Sequence, residues 1–254
     1  MLNRFTRLAA ALGTAFLATA PLQAQAAHSP IRVQWLGHAA FEITSAGGTK
    51  ILIDPFLSGN PATPDSLKTL SRYHPAAILV SHSHSDHALD AKAIATASGA
   101  MVISAYEWVN TLGLPEKQAM GGNVGGTFKV GDVTVHIVPA MHSSDPGGRP
   151  VGFVLEFADG RTLYHTGDTW LFGDMTLIQE LYHPNIILIG SGGGPYTQGP
   201  ADARREVAKY FKPQVIVPMH YGTFPGLATE AQVRAGFAGD KRLQVMKPGE
   251  SRSF

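Results

Sequence analysis

The 254-residue sequence has no cysteine. Disulfides are excluded, as is lipid attachment through a lipobox. Any metal site must therefore be built from histidine and carboxylate. Charge is scarce and nearly balanced: 15% of residues are Asp, Glu, Lys or Arg, and the formal net charge is +1. No basic field gathers nucleic acid or anionic membrane, so neither is an expected partner. Short repeats, heptads and low-complexity segments are missing beyond the first residues, and no long amphipathic stretch follows them. What is present is 44% hydrophobic residues on a length that suits one large domain.

The first 26 residues stand apart. Arg4 and Arg7 make a basic start, Leu8 to Ala20 is apolar, and Ala24-Gln25-Ala26 offers a small-residue cleavage site. This pattern predicts a signal peptide over residues 1–26 and a single folded domain over 27–254. The apolar part is short for a membrane span, so no stable membrane association is expected after cleavage. Removing that segment takes away two arginines and no acid. Export without disulfides places the protein most simply in a bacterial periplasm.

Strands are predicted at residues 31–35, 40–44 and 50–53, joined by the Ala46-Gly47-Gly48 turn, and at 76–80, 101–104, 151–157, 162–165, 185–189 and 215–217. A strand pair should turn at Gly131-Asp132, and residues 243–246 should close a sheet. Helices are expected near 88–97, 175–182, 201–211 and 230–237. Gly121-Gly122 and Gly125-Gly126 read as loop. Early meanders followed by alternating strands and helices fit two sheets packed face to face with helices outside. The early strands are too closely connected for a single open parallel sheet.

The chemistry concentrates in Ser81-His82-Ser83-His84-Ser85-Asp86-His87, between the apolar run Ile78-Leu79-Val80 and a helix. Alternate side chains of extended chain share a face, so His82 and His84 can address one ion. As the backbone turns into the helix, Asp86 and His87 swing towards a second. Two ions need further ligands, and His142, Asp168 and His220 each follow the end of a predicted strand, where layered folds build sites.

His82-x-His84-x-Asp86-His87 with His142, Asp168 and His220 resembles the metallo-β-lactamase superfamily, over nearly the whole of residues 27–254. Trp35-Leu-Gly-His38, Ile53-Asp-Pro55, Tyr164-His-Thr-Gly-Asp168 and Pro218-Met-His-Tyr221 are similar to its metal-dependent hydrolases related to ascorbate-6-phosphate lactonases. More distantly they resemble the N-acyl-phosphatidylethanolamine phospholipases. The resemblance implies an α/β (α+β) fold, a four-layer αββα sandwich of two mixed sheets. It also implies two divalent metal ions, zinc first with manganese or iron possible. His82, His84 and His142 would hold one ion, Asp86, His87 and His220 the other, and Asp168 both. The implied reaction is hydrolysis of a small-molecule lactone or phosphodiester by metal-bound hydroxide, with Asp86 orienting it and taking its proton. Authentic β-lactamases of the superfamily generally lack the bridging carboxylate, so Asp168 points away from them.

His38 and Asp54 sit at strand ends in these segments. Asp54 could accept a ligand imidazole's free N–H, and His38 could face the substrate. The Gly192-Gly193-Gly194-Pro195-Tyr196-Thr197 loop could offer backbone N–H groups to an anion, with Thr197 near the substrate. It departs from the related pattern in Ser191, an added glycine and Gln198 in place of methionine. His165 reads as packing or as support for a ligand, and His74, His136 and His183 as ordinary histidines. Trp108 and Trp170 could cover the pocket or pack in the core. A non-catalytic metal-sensing module is the alternative function, and lipid hydrolysis a further one. Asp86 argues against the first, because a purely binding site needs no open position.

Overall fold

The computed structural model describes residues 30–254; the segment read as a signal peptide lies outside them. The first sheet begins as a meander, β1 (Arg32–Gly37), β2 (Ala40–Thr44) and β3 (Lys50–Ile53), all antiparallel. It continues in parallel through β4 (Ala77–Leu79), β5 (Met101–Ala105) and β6 (Ala119–Gly122). The second sheet contains β7 (Thr127–Val130), β8 (Val133–Pro139), β9 (Val151–Phe157) and β10 (Thr162–His165) as an antiparallel meander. Parallel strands β11 (Ile186–Gly190) and β12 (Val215–Met219) extend it.

The period-2 apolar pattern decides the layering. Ile51, Ile53, Ala77, Leu79 and Ile103 face the core shared with the second sheet, while Leu52, Ile78, Val80 and Val102 face outward into a separate apolar cluster. Ala91 and Ile94 of helix α2 (Ala91–Ser98) and Trp108 of α3 (Tyr106–Val109) cover that outer face. Helices α4 (Met175–Tyr182), α5 (Pro200–Tyr210) and α6 (Glu230–Gly236) cover the second sheet. Tyr164 of β10 meets Phe211, just past α5, at 5.6 Å between ring centroids. Each fully buried Ile, Leu or Val contributes about 1.5–3 kcal/mol relative to exposure. The result is the expected sandwich of two mixed sheets between helices.

Two edges differ from expectation. Residues 243–246 form no strand, and only Leu243 bridges Ile216. Lys247-Pro248-Gly249 turns the chain, and the edge strand is β13 (Ser251–Ser253), antiparallel to β1. Its polar Ser-Arg-Ser sequence carries no apolar period, which an edge strand facing solvent does not need. Gly121 and Gly122 lie in β6 rather than in a loop. A Cβ on Gly122 would come within 2.7 Å of Ile137 and 2.9 Å of Phe128, so glycine marks close packing there. The short helix α1 (Ser85–Ala88) precedes α2, so the predicted single helix is two.

Glu206 of α5 is fully buried, and among the described residues its hydrogen-bond partner is Gln198 Nε2, which donates to Oε2 at 2.6 Å. Burial pushes its carboxyl up from 4.5 to about 8, against the hydrogen bond from Gln198. Its contribution to stability is complete below about 4.5 and is lost as pH rises through about 8. Glu206→Gln keeps an acceptor for Gln198 and has no proton to lose. Thermal unfolding from pH 4 to 9 should show the variant level with wild type at the acid end, with a stability gap in its favour that opens above about pH 4.5 and levels off above about pH 8. A gap that does not grow with pH would show that Glu206 is not a buried neutral acid.

Candidate metal centre

Six strand ends deliver the site. β1 leads to His38, β3 to Asp54, β4 to His82 and His84, β8 to His142, β10 to Asp168 and β12 to His220, while α1 carries Asp86 and His87. The two sheets are tied at this edge. His220 N donates to His38 O at 3.0 Å, and Val151 N donates to Ser81 O at 2.9 Å. His165, fully buried, donates from Nε2 to Ala39 O at 3.0 Å and accepts Gly167 N on Nδ1 at 3.1 Å, so it supports the edge and is no ligand.

Among the described residues, donor atoms converge within 4.8 Å in three groups: His82, His84 and His142; His38, Asp86, His87 and His220; and His82, His87 and Asp168. His82 Nε2 and His84 Nδ1 are 3.0 Å apart. Asp168 Oδ2 lies 3.0 Å from His220 Nε2, 3.5 Å from His87 Nε2 and 3.7 Å from His142 Nε2. Asp86 Oδ2 is 3.7 Å from His220 Nε2 and 4.0 Å from His87 Nε2. Ligands about 2.0–2.1 Å from a tetrahedral ion stand about 3.3 Å from each other, so these spacings suit metal donors. His87 Nε2 and Asp168 Oδ1 are moreover buried without a hydrogen-bond partner, as a ligand set lacking its ion would be. All seven residues expected as ligands are brought together, and the donor set fits divalent metal.

Behind them lies a second layer of hydrogen bonds. Asp54 is fully buried; Oδ1 accepts Ser81 N at 2.7 Å and Oδ2 accepts Ser81 Oγ at 2.7 Å. Oδ2 also lies 2.8 Å from His87 Nδ1, which donates to it and leaves Nε2 free for metal. With its proton given to Asp54, Ser81 Oγ accepts from His82 Nδ1 at 3.0 Å, which frees His82 Nε2 likewise. His38 is buried and does not line the cavity. Its Nε2 donates to Asp86 Oδ2 at 3.1 Å, and its Nδ1 accepts from Thr223 Oγ1 at 3.0 Å. The proton on Nε2 makes His38 a support for Asp86 rather than a ligand. Thr197 also stays outside the cavity and donates to Thr169 O at 3.3 Å. The roles of Ser81, Thr223 and Thr169 were not foreseen. Serine and threonine follow strand ends too commonly to stand out.

Electrostatics follow from this packing. Burial lowers His38 to about 4, and His220 beside it acts the same way, so His38 is neutral. Burial also opposes charge on His220 and His87, but Asp168 outweighs it, raising His220 to about 9 and His87 well above the usual histidine range. Burial would raise Asp168 and Asp86, yet the surrounding imidazoles hold both well below the usual carboxylate range.

Asp86, His84, His142, Asp168 and His220 open onto a cavity of about 360 Å³. Gly192–Gly194 line a neighbouring cavity of about 550 Å³ to which no described residue contributes a titratable side chain, whereas Pro195 and Tyr196 of the same loop line the metal cavity. Gly192 has a different task from the one expected. A Cβ there would lie 2.1 Å from His220 O, so only glycine lets the loop press against this residue. Trp108 packs in the core, whereas Trp170 is 58% exposed and does not line the cavity.

The β-lactamase superfamily domain model matches residues 32–220. A UPF0173 metal-dependent hydrolase of Myxococcus xanthus is 46% identical, covering 98% of this chain and 94% of its own. One from Pyrobaculum islandicum is 41% identical over 87% of this chain and 99% of its own. Igni18, a metallo hydrolase of Ignicoccus hospitalis, superposes with a TM-score of 0.78 at 33% identity, covering 89% of this chain and 98% of that one. With its donors at the strand ends and relatives matched nearly end to end, the chain belongs to the UPF0173 metal-dependent hydrolases of the β-lactamase superfamily.

Proposed function

We propose that the protein is a dinuclear metal hydrolase that cleaves a small lactone or phosphodiester. One observation carries this reading: a single oxygen, Asp168 Oδ2, stands within 3.0–3.7 Å of imidazole nitrogens from both halves of the donor set. His82, His84 and His142 would hold one ion, and Asp86, His87 and His220 the other, with Asp168 common to both. Two divalent ions, zinc or alternatively manganese or iron, would polarise a carbonyl or phosphoryl oxygen and acidify water at neutral pH.

The remaining work falls to the chain. Asp86, with 30% side-chain exposure, is the more open of the two carboxylates that line the cavity, and His38 fixes its orientation from behind. Being firmly ionised, it accepts a hydrogen bond from the attacking water and passes the proton on rather than keeping it. Asp54 and Ser81 set the tautomers of His87 and His82, so that each presents a lone pair to the site. A metal-sensing module would require none of this alignment of an exposed carboxylate.

Asp168→Ala should lower the bound metal from two ions per chain to one or none and reduce turnover of a lactone and of a phosphodiester by at least about 10³-fold, with far-UV circular dichroism unchanged. Two ions and full turnover in that variant would remove the bridging role. Asp54→Ala should weaken metal binding about 10–100-fold, read by competition with a chromophoric chelator. An unchanged affinity would show that packing alone orients His87.

A further inference from the structure

The walls of the metal cavity identify a substrate class, on the hydrolase reading above. Apart from the donors, the cavity is lined by Ser143, Pro195, Tyr196, Phe224, Pro225 and Leu227. Among the described residues no lysine or arginine lines it. A phosphorylated substrate would meet the carboxylates of Asp86 and Asp168 with no guanidinium or ammonium beyond the metals to hold its phosphate.

The apolar character continues outside. Tyr196 is 61% exposed, Phe224 37%, Met141 55% and Trp170 58%. Met141 precedes His142, Trp170 follows Asp168 by two residues, and Trp170 N donates to Met141 O at 3.0 Å, so the two sit together beside the donors. Leaving such side chains in water forgoes about 25 cal/mol per Å² of apolar surface, and a cluster of them beside a cavity marks a binding surface. Phe224 is a fixed wall. Its ring lies 6.1 Å from Phe56 at 31° and stands edge-on to His38 at 5.6 Å and 68°.

We infer that this cavity is a subsite for an uncharged carboxylic ester or lactone bearing an aryl group, with Phe224 and Tyr196 as the surfaces that receive the ring. Water adds across the acyl C–O bond, giving a carboxylate, an alcohol and one proton. Carbonyl substrates are thereby favoured over phosphodiesters, and the two aromatic residues are positioning groups for the ring.

The test uses metal-loaded protein and three probes: γ-phenyl-γ-butyrolactone, γ-butyrolactone and a butyrolactone carrying a phosphate monoester. The aryl lactone should exceed the other two in kcat/KM by about 10-fold or more, the scale on which apolar contacts discriminate. Phe224→Ser and, because Phe224 is packed, the more exposed Tyr196→Ser should each raise KM for the aryl lactone severalfold with a smaller change in kcat. Binding is read separately with 5-phenyl-2-pyrrolidinone, a lactam of the same shape. It should perturb tryptophan fluorescence saturably, unlike unsubstituted 2-pyrrolidinone, and Trp170→Phe should abolish the signal, since Trp35 and Trp108 are buried. Equal kcat/KM for aryl and plain lactone, or preference for the phosphorylated one, would overturn the inference and leave the hydrolase reading intact. Selective lactam binding without turnover of any lactone would support the aryl subsite and count against the hydrolase reading.

Discussion

A buried carboxylate surrounded by imidazoles is the constraint on which this structure depends. Asp168 is 3% exposed, and burying an unpaired charge costs several kcal/mol. The cost is met only because His87, His142 and His220 point their Nε2 atoms at one of its oxygens. That carboxylate in turn favours the charged form of His87 and His220, against the burial that opposes it. A metal ion held by these residues would compete with their protons, which would couple its uptake to pH.

Convergence of six strand ends on so small a volume demands unusual backbone. Of the four non-glycine residues at positive φ among the described residues, His38, Asp54 and His220 belong to the site, and the fourth, His183, ends helix α4. Such conformations cost about 1–3 kcal/mol each and persist where the surroundings over-determine them. Here Asp54 N bonds Leu79 O at 2.8 Å, while His220 N bonds the carbonyl of His38 across the sheets. Strained residues thus lock each other, and the donors stand on rigid strand ends rather than on free loops.

The donors were legible in the sequence because each candidate is a rare residue type just past an apolar run. The same logic found the two sheets and most helices. It failed where the informative signal was a neighbour in space. β13 has no apolar period, and in β6 Gly122 answers to Phe128 and Ile137 across the sandwich while Gly121 answers to Tyr106 and Val109 of α3. Ser81 looks in sequence like a small spacer, yet it donates to Asp54 and accepts from His82. Thr223, behind His38, lies 185 residues away from it. The tautomers of His38, His82 and His87 are set by such partners, which periodicity does not reveal.

The Gly190–Gly199 segment separates chemistry from specificity. Gly192 must stay small because His220 presses on it, whereas Pro195 and Tyr196 face the cavity. Gln198 turns inward. It donates to Gly190 O at 3.3 Å and to Glu206, so this side chain is coupled to a buried acid rather than to the donor set. Departures along this segment can therefore reshape the wall that a substrate meets while the donor set stays fixed by strands β4, β8, β10 and β12. Loops borne on a rigid scaffold vary more freely than the strand ends that hold the reacting groups. A shared donor set accordingly leaves the substrate open, and on the proposal above the choice would fall to the apolar residues at the rim.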